Sequence, residues 1–364
     1  VSTRRISAGI CRLGPPAPEA GGKTGKETGM EIVSKIHATN LVKWAKDHPQ
    51  VVVLSADLTS STEINLFAEN YPNRFFSMGV AEQNMLGVAA GLAREGYIPF
   101  VHTFAVFIYR QALNQIVCSI AYPNLPVKMF GFLPGVTTPG GATHQAIEDT
   151  AVMRALPNMV IFEPGDATEA EGVLDAVIET PSPVYIRMPR GDIPRLFPAD
   201  KPFVPDKARV IHRGDDITLL TSGICTEAAM RATTLLAGLG IKIEHLHIST
   251  LKPFSDPQVL ASLQKPRFGV ITMENHSIIG GLGSAVAELM AEHGIGKKLQ
   301  RLGLRDTFAH GGSRPYLMRY YGLDAAALVQ SIELLTGQML GIGEDDLAAV
   351  RLGSGGSNAN AEAL

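Results

Sequence analysis

Short apolar runs rich in β-branched residues recur along this chain, and stretches of helical period separate them. The runs are VVVLSA (51–56), PVKMFGF (126–132), NMVIFEP (158–164) and PVYIRMP (183–189), with helical stretches at 32–47, 81–94 and 166–180. A strand that is apolar on both faces must be covered on both, and strands joined through helices run parallel. The pattern therefore predicts a mostly parallel sheet between helical layers. The segment FPADKPFVPDKARVIHRGDD (197–216) breaks the alternation with prolines and charges and reads as a linker. The pattern then restarts with ITLLTSG (217–223), a helix from Glu227 to Leu239, IKIEHLHI (241–248), FGVITMEN (268–275) and a helix after IIGGLGS. The expected fold class is α/β, as two doubly wound domains at 30–196 and 217–340 joined by the 197–216 linker. A chain of 364 residues with 45% hydrophobic content can bury cores for two such domains. Ligands of these sheets sit at the C-terminal strand ends, so the loops after 56, 79, 103 and 132 are where chemistry is expected.

Residues 1–29 and 353–364 lack any hydrophobic period and are expected to be a disordered N-terminal segment and a flexible tail. The first is Arg-rich and acid-poor like a transit peptide but lacks the amphipathic pattern, so upstream sequence or linker before a start at Met30 is the simpler reading. GGKTGKETG fails as a phosphate-binding loop. No glycine lies at the required offset before Gly25-Lys26, and Glu27 stands where Ser or Thr is needed. The formal net charge of -3 gives no electrostatic footprint for nucleic acid. No apolar run approaches the roughly 20 residues that a membrane span needs. Cys11, Cys118 and Cys225 are far apart and in no C-x-x-C spacing. They indicate a reducing, cytoplasmic setting with neither a disulfide framework nor a zinc site.

Glu82 interrupts an apolar stretch, with FFSMGV before it and MLGVAAGLA after it. The bland reading is a first-turn acid favoured by the helix macrodipole. Its apolar flanks point to a helix buried all round, where an unpaired carboxylate costs several kcal/mol or takes up a proton. Proton chemistry uses such groups. On the residues alone, a catalytic and a structural Glu82 both stand.

The stretch RFFSMGVAEQNMLGVAAGLAREGYIPFVHTFAVF (74–107) resembles the pyrimidine-binding domain of the transketolase family, in which a strand ends in G-[IV]-x-E-[QH]. The likeness continues in LSADLTSST (54–62), GGATHQAIEDTAVMRALPNMVIFEPGDATE (140–169), YIRMPRG (185–191) and VITMENHSIIGGLGSAVAELM (270–290). It implies a thiamine-diphosphate-binding domain followed by a Rossmann-like transketolase C-terminal domain. The family's glutamate hydrogen-bonds N1′ of the cofactor's aminopyrimidine and favours the imino tautomer that removes the C2 proton, so the match gives that role to Glu82. Phe104 and Phe107 match rings that line the pyrimidine pocket, with ordinary core phenylalanines as the alternative. Asp57 and Leu58 match a loop near the cofactor at the dimer interface. Ser61 and Arg190 match residues that contact the phosphate of sugar substrates, and Arg suits an oxyanion, although a surface arginine would read the same. His144 matches an active-site histidine; a helix-start histidine is the alternative.

The family holds magnesium and the diphosphate with a G-D-G motif and a later N-N pair. The chain has no G-D-G, and PGDA and RGDI lack the second glycine. The resemblance therefore implies the C-terminal subunit of a split transketolase. A separate N-terminal chain would supply the diphosphate and Mg2+ ligands, giving a heterotetramer of two copies of each. Other departures bear on the substrate. Phe132 falls where the family has histidine, and Pro139 and Gly140 replace an acidic pair of which one member contacts a donor hydroxyl. Lys35 stands beside Ser34 where an arginine is expected. RQALNQ (110–115) places Arg110 where the family has a small or aromatic residue. A modified or branched ketose phosphate, or a substrate whose other anionic group meets Arg110, follows as the expectation.

Two further readings remain from the sequence. One is a decarboxylating relative, a 1-deoxyxylulose-5-phosphate synthase fragment or a 2-oxo acid dehydrogenase beta chain; ADLTSST with Ser61 favours the sugar-phosphate branch. The other is a non-catalytic dimerisation or regulatory homologue, against which Glu82 and Phe107 count. In the second domain, a lone G-G-x-G is a weak dinucleotide signal and reads as tight helix-to-strand packing. His276 and His310 read as interface residues.

Overall fold

A computed structural model describes residues 30–352; the expectations for 1–29 and 353–364 lie outside the described residues. Seven strands form the first sheet, in the spatial order Thr250–Lys252, Val160–Phe162, Val184–Met188, Lys128–Phe132, Ile98–Phe104, Val51–Ser55 and Phe75–Ser77. All neighbours are parallel except Thr250–Lys252, which runs antiparallel to Val160–Phe162. Val51–Ser55, Lys128–Phe132 and Val184–Met188 are buried along their whole length, as a sheet covered on both faces requires. The second sheet has the order Leu299–Leu304, Gly269–Ser277, Ile217–Thr221, Ile243–His247 and Arg209–His212, with only the last antiparallel. The α/β class and the two mostly parallel sheets are as the sequence implies.

The helix expected over 32–47 divides. Ile32–Ser34 is a strand paired with Asp192–Pro194, and the helix runs Ile36–Trp44. Lys35 between them lies in the left-handed region at φ 47, which turns the chain out of the ribbon. In the proline-rich 197–216 segment, Phe197 and Phe203 are buried and Arg209–His212 forms the edge of the second sheet. Its prolines and charges mark turns, while the RVIH run between them is β-branched enough to pair. The second half of the chain also lends Thr250–Lys252 to the first sheet, as its antiparallel edge.

The helix Glu82–Arg94 is amphipathic rather than buried all round. Glu82, Met85, Leu86, Ala89, Ala90 and Ala93 face the interior, while Gln83, Gly87 and Gly91 are exposed on the opposite side. Glycine and alanine make both faces look apolar in the sequence, but only the side at i, i+3, i+4 spacing meets the core.

One charged network binds the halves together. Arg187, fully buried in its strand, donates from Nε to Asp149 Oδ2 at 2.9 Å and from Nη1 to Glu163. Its Nη2 reaches the carbonyls of Ala146 at 3.2 Å and Asn275 at 2.9 Å. Asn275 accepts from the Val136 amide at 2.9 Å and donates to the Pro134 carbonyl at 3.0 Å. The loop after Phe132 is thereby fastened to the second sheet.

Candidate active site

The parallel strands deliver their C-terminal loops to one edge of the first sheet. Lys35, Asp57, Glu63 and Leu133, all non-glycine residues near that edge, have φ of 47, 59, 56 and 55. Each such residue costs on the order of 1 kcal/mol, a strain that folds tolerate where geometry serves function.

Phe104 ends the strand Ile98–Phe104, and Phe107 lies in the first turn of the helix Ala105–Gln115 that follows. Their rings are offset-stacked at 5.7 Å, and the His144 ring stands edge-on to Phe107 at 5.5 Å and to Phe104 at 6.4 Å. The three expected residues thus form one aromatic wall. His144 is not at a helix start: it sits in a loop, its Nδ1 is 2.9 Å from Thr143 Oγ1, and the next helix begins at Asp149.

Arg110 holds that loop. It donates from Nε and Nη2 to Glu148 Oε1 at 2.9 and 2.5 Å and from Nη1 to the Ala142 carbonyl at 2.7 Å. A guanidinium engaged this way is matched by a carboxylate of its own chain and fastens the loop to the helix. The loop is braced from the other side by Gln145. Its buried amide nitrogen donates to the carbonyls of Thr138 at 3.1 Å and His310 at 3.2 Å.

Glu82 opens its helix at the edge of the sheet and is 8% exposed. No cation lies within ion-pair distance of it among the described residues. Its helix packs against Ala105–Gln115, which carries Phe107. The loop of Asp57 and Leu58 follows the strand Val51–Ser55, and its Leu58 amide donates to Ser55 Oγ at 3.2 Å. Leu58 in turn accepts from the Thr62 amide at 2.8 Å, closing a tight turn that presents Ser61.

Arg190 and Ser61 lie on separate loops joined through Glu63. The Gly191 amide donates to Glu63 Oε1 at 2.8 Å, and the Gly191 carbonyl accepts from the Lys35 amide at 3.0 Å. Arg190 is exposed, whereas Glu63 is 2% exposed. Beneath this edge, His37 and His102 meet Nε2 to Nε2 at 3.0 Å, with His102 stacked on Phe130 at 4.7 Å and His37 edge-on to Phe132 at 5.4 Å. Burial lowers His37 to about 3 and holds His102 well below the usual range, so the pair is neutral, one ring donating and the other accepting.

In the second domain, Glu274 accepts from the Leu282 and Gly283 amides at 2.7 and 2.8 Å. The start of the helix Leu282–Glu292 is thus occupied by the chain's own carboxyl, which burial pushes up to about 7. A Cβ at Gly281 would collide with that carboxyl and one at Gly283 would meet Arg301, so these glycines serve close packing. His276 is buried with Nε2 3.7 Å from Asp149, and the exposed His310 meets the hydroxyls of Tyr321 at 2.8 Å and Tyr316 at 3.2 Å. Sequence reading missed Glu63, Glu148, Gln145 and Arg187. Only Arg187, a charge inside the run PVYIRMP, carries a signal that periodicity could have flagged.

Residues 33–195 match the family model described as the transketolase pyrimidine-binding domain, and 206–328 match that of the transketolase C-terminal domain. A relative from Methanocaldococcus jannaschii, described as a transketolase C-terminal section, is 40% identical over 82% of this chain and 94% of its own length. A relative from Clostridium sp. MSTE9, named as a 6-deoxy-6-sulfo-D-fructose transketolase subunit, is 39% identical over 81% of this chain and 92% of its own. A solved structure described as a split-gene transketolase in an inactive beta4 tetramer superposes with a TM-score of 0.76 at 39% identity, covering 84% of this chain and 98% of that one.

Proposed function

Because the chain belongs to the transketolase family, we propose that it is the C-terminal subunit of a two-chain enzyme that transfers a two-carbon ketol unit between sugar phosphates. The observation that carries this reading is a buried, unpaired Glu82 on a helix packed beside the one that begins the Phe104, Phe107 and His144 wall. An acid without a partner and a flat aromatic wall fit the aminopyrimidine of thiamine diphosphate, whose ring nitrogens need a donor or acceptor and whose faces need apolar cover. When bound, thiamine diphosphate supplies the nucleophilic carbon that attacks a ketose carbonyl. Glu82 would hold a proton against the pyrimidine N1′, with Phe104 and Phe107 beside the ring and Asp57 and Leu58 at its border. His144 would donate to or accept from the substrate's oxygens, and Ser61 and Arg190 would bind its phosphate.

The chain offers no G-D-G or N-N, so Mg2+ and the diphosphate are assigned to an N-terminal partner chain, in an assembly of two copies of each. The cofactor site would be shared between the two. The well-separated cysteines fit a cytoplasmic enzyme. Phe132, Pro139 and Gly140 take polar groups away from the site, and a relative named for a sulfonated sugar supports an unusual donor here. The deciding experiment is coexpression with the partner, followed by ketol transfer assays on a panel of ketose phosphates. Tight binding of thiamine diphosphate and Mg2+ to this chain alone, by calorimetry, would sink the two-chain reading.

The exposed Gln83, Gly87 and Gly91 face is assigned to assembly. Gly91→Ala should stabilise the isolated chain by about 0.5–1 kcal/mol, because a Cβ there meets nothing within 4 Å. The same change should weaken the complex, read as a raised melting temperature with lost coelution. Coelution as for wild type would remove this face from the interface. Arg110→Ala should lower kcat roughly tenfold or more and leave KM nearly unchanged, because the loop of His144 loosens. A large rise in KM for an anionic substrate at constant kcat would instead make Arg110 an anion ligand.

A further inference from the structure

Glu63 is a buried carboxylate at the subsite assigned to the substrate's anionic end. Its Oε1 accepts from the Gly191 amide at 2.8 Å, directly after Arg190 in the chain, and the Gly191 carbonyl accepts from the Lys35 amide at 3.0 Å. Burial raises its carboxyl, while the Gly191 amide, the charges of Arg190 and Lys35 and the His37 amide act the other way. The His37 amide belongs to the first turn of the helix Ile36–Trp44. Lys35, which precedes that helix, makes no side-chain cap, so Glu63 stands where an external anion would gain most from the helix N-terminus. Arg190 and Lys35 bring two positive charges to the subsite and Glu63 takes one away. Neither cation is in an ion pair among the described residues.

We propose that Glu63 is a specificity residue that matches this subsite to a singly charged terminus, such as a sulfonate or carboxylate, and against a phosphate dianion. The inference deepens the reading above and rests on Arg190 as the substrate's anion ligand. For charges about 8–10 Å apart at an effective dielectric constant of about 20, one extra unit of charge on the ligand changes affinity by roughly ten- to thirtyfold. A phosphate monoester is doubly charged above its second pKa of about 6, whereas a sulfonate keeps one charge.

The test compares matched anions on the full chain at pH 8. Methyl phosphate and methanesulfonate are titrated by NMR into the wild type and into Glu63→Gln, a variant that still accepts the Gly191 hydrogen bond. The test reads the ratio of the two affinities in each protein, and Glu63→Gln should shift it toward phosphate by about ten- to thirtyfold relative to the wild type. A ratio unmoved by the substitution, or one that moves toward the sulfonate, overturns the proposal; if Glu63→Gln does not fold, the same ratio is read in Glu63→Ala. The reconstituted two-chain enzyme is then assayed with a ketose 6-phosphate and the ketose 6-sulfonate of the same carbon chain. The kcat/KM ratio should move in the same sense, and an unmoved ratio also counts against the proposal. Absence of transfer from both donors refutes the ketol-transfer reading, while the titration still decides the role of Glu63.

Discussion

Glu82→Gln is expected to lower kcat of the reconstituted enzyme by about 10²- to 10⁴-fold, the span usual for a lost proton-transfer group. The variant should keep its fold, because Gln is isosteric and no cation depends on the carboxylate. Assembly with the partner should also persist. An enzyme with more than about a tenth of wild-type kcat would exclude Glu82 from the chemistry, and with it the ketol-transfer reading. A non-catalytic homologue predicts no loss of function at all, so one substitution separates the two classes. The measurement has to be made on the two-chain complex under saturating thiamine diphosphate, so that weakened cofactor binding is not read as lost chemistry.

The second large effect is on stability. Arg187→Met removes the one guanidinium that pairs with both Asp149 and Glu163, which are 0% and 2% exposed. Burial alone disfavours the Arg187 charge, and the two carboxylates reverse that and keep it protonated. Truncating one member of a buried charged group leaves the others desolvated without a counter-charge, at a cost of about 3–5 kcal/mol. Tyr185, whose hydroxyl donates to Asp149 Oδ2 at 2.7 Å, cannot make up the difference because it supplies no charge. Thermal unfolding should fall by roughly 4–7 °C. The triple variant Arg187→Met, Asp149→Asn, Glu163→Gln should regain part of the loss, since neutral amides cost less to bury. A single variant melting within about 2 °C of wild type would show that the network is not what ties the loop after Phe132 to the second sheet.

Much of this was legible in the sequence because its cause is local. The runs 51–56, 126–132 and 183–189 are strands because β-branched and aromatic residues covered on both faces have few other arrangements. Glu82, Phe104, Phe107 and His144 could be named because each stands in a motif of fixed spacing, and the structure brings the last three into one wall. One expectation does not hold. A stretch of Gly and Ala reads apolar on every face, so the helix Glu82–Arg94 looked buried all round when one side is open. Arg110 stands in a motif, and the Glu148 that meets it from across the loop is not visible from that motif.

By itself the sequence determined the α/β class and the two-sheet layout, and its resemblance to a known family singled out Glu82 as the acid to test. The class and layout follow from periodicity and from residue types at short spacing. Tertiary structure alone decided which charges are matched and by what. Arg187 lies 38 positions from Asp149, and Glu63 lies 128 positions from Gly191. Partnerships across such separations leave no periodic trace, because they are set by how the strands are ordered in the sheet and not by their order in the chain.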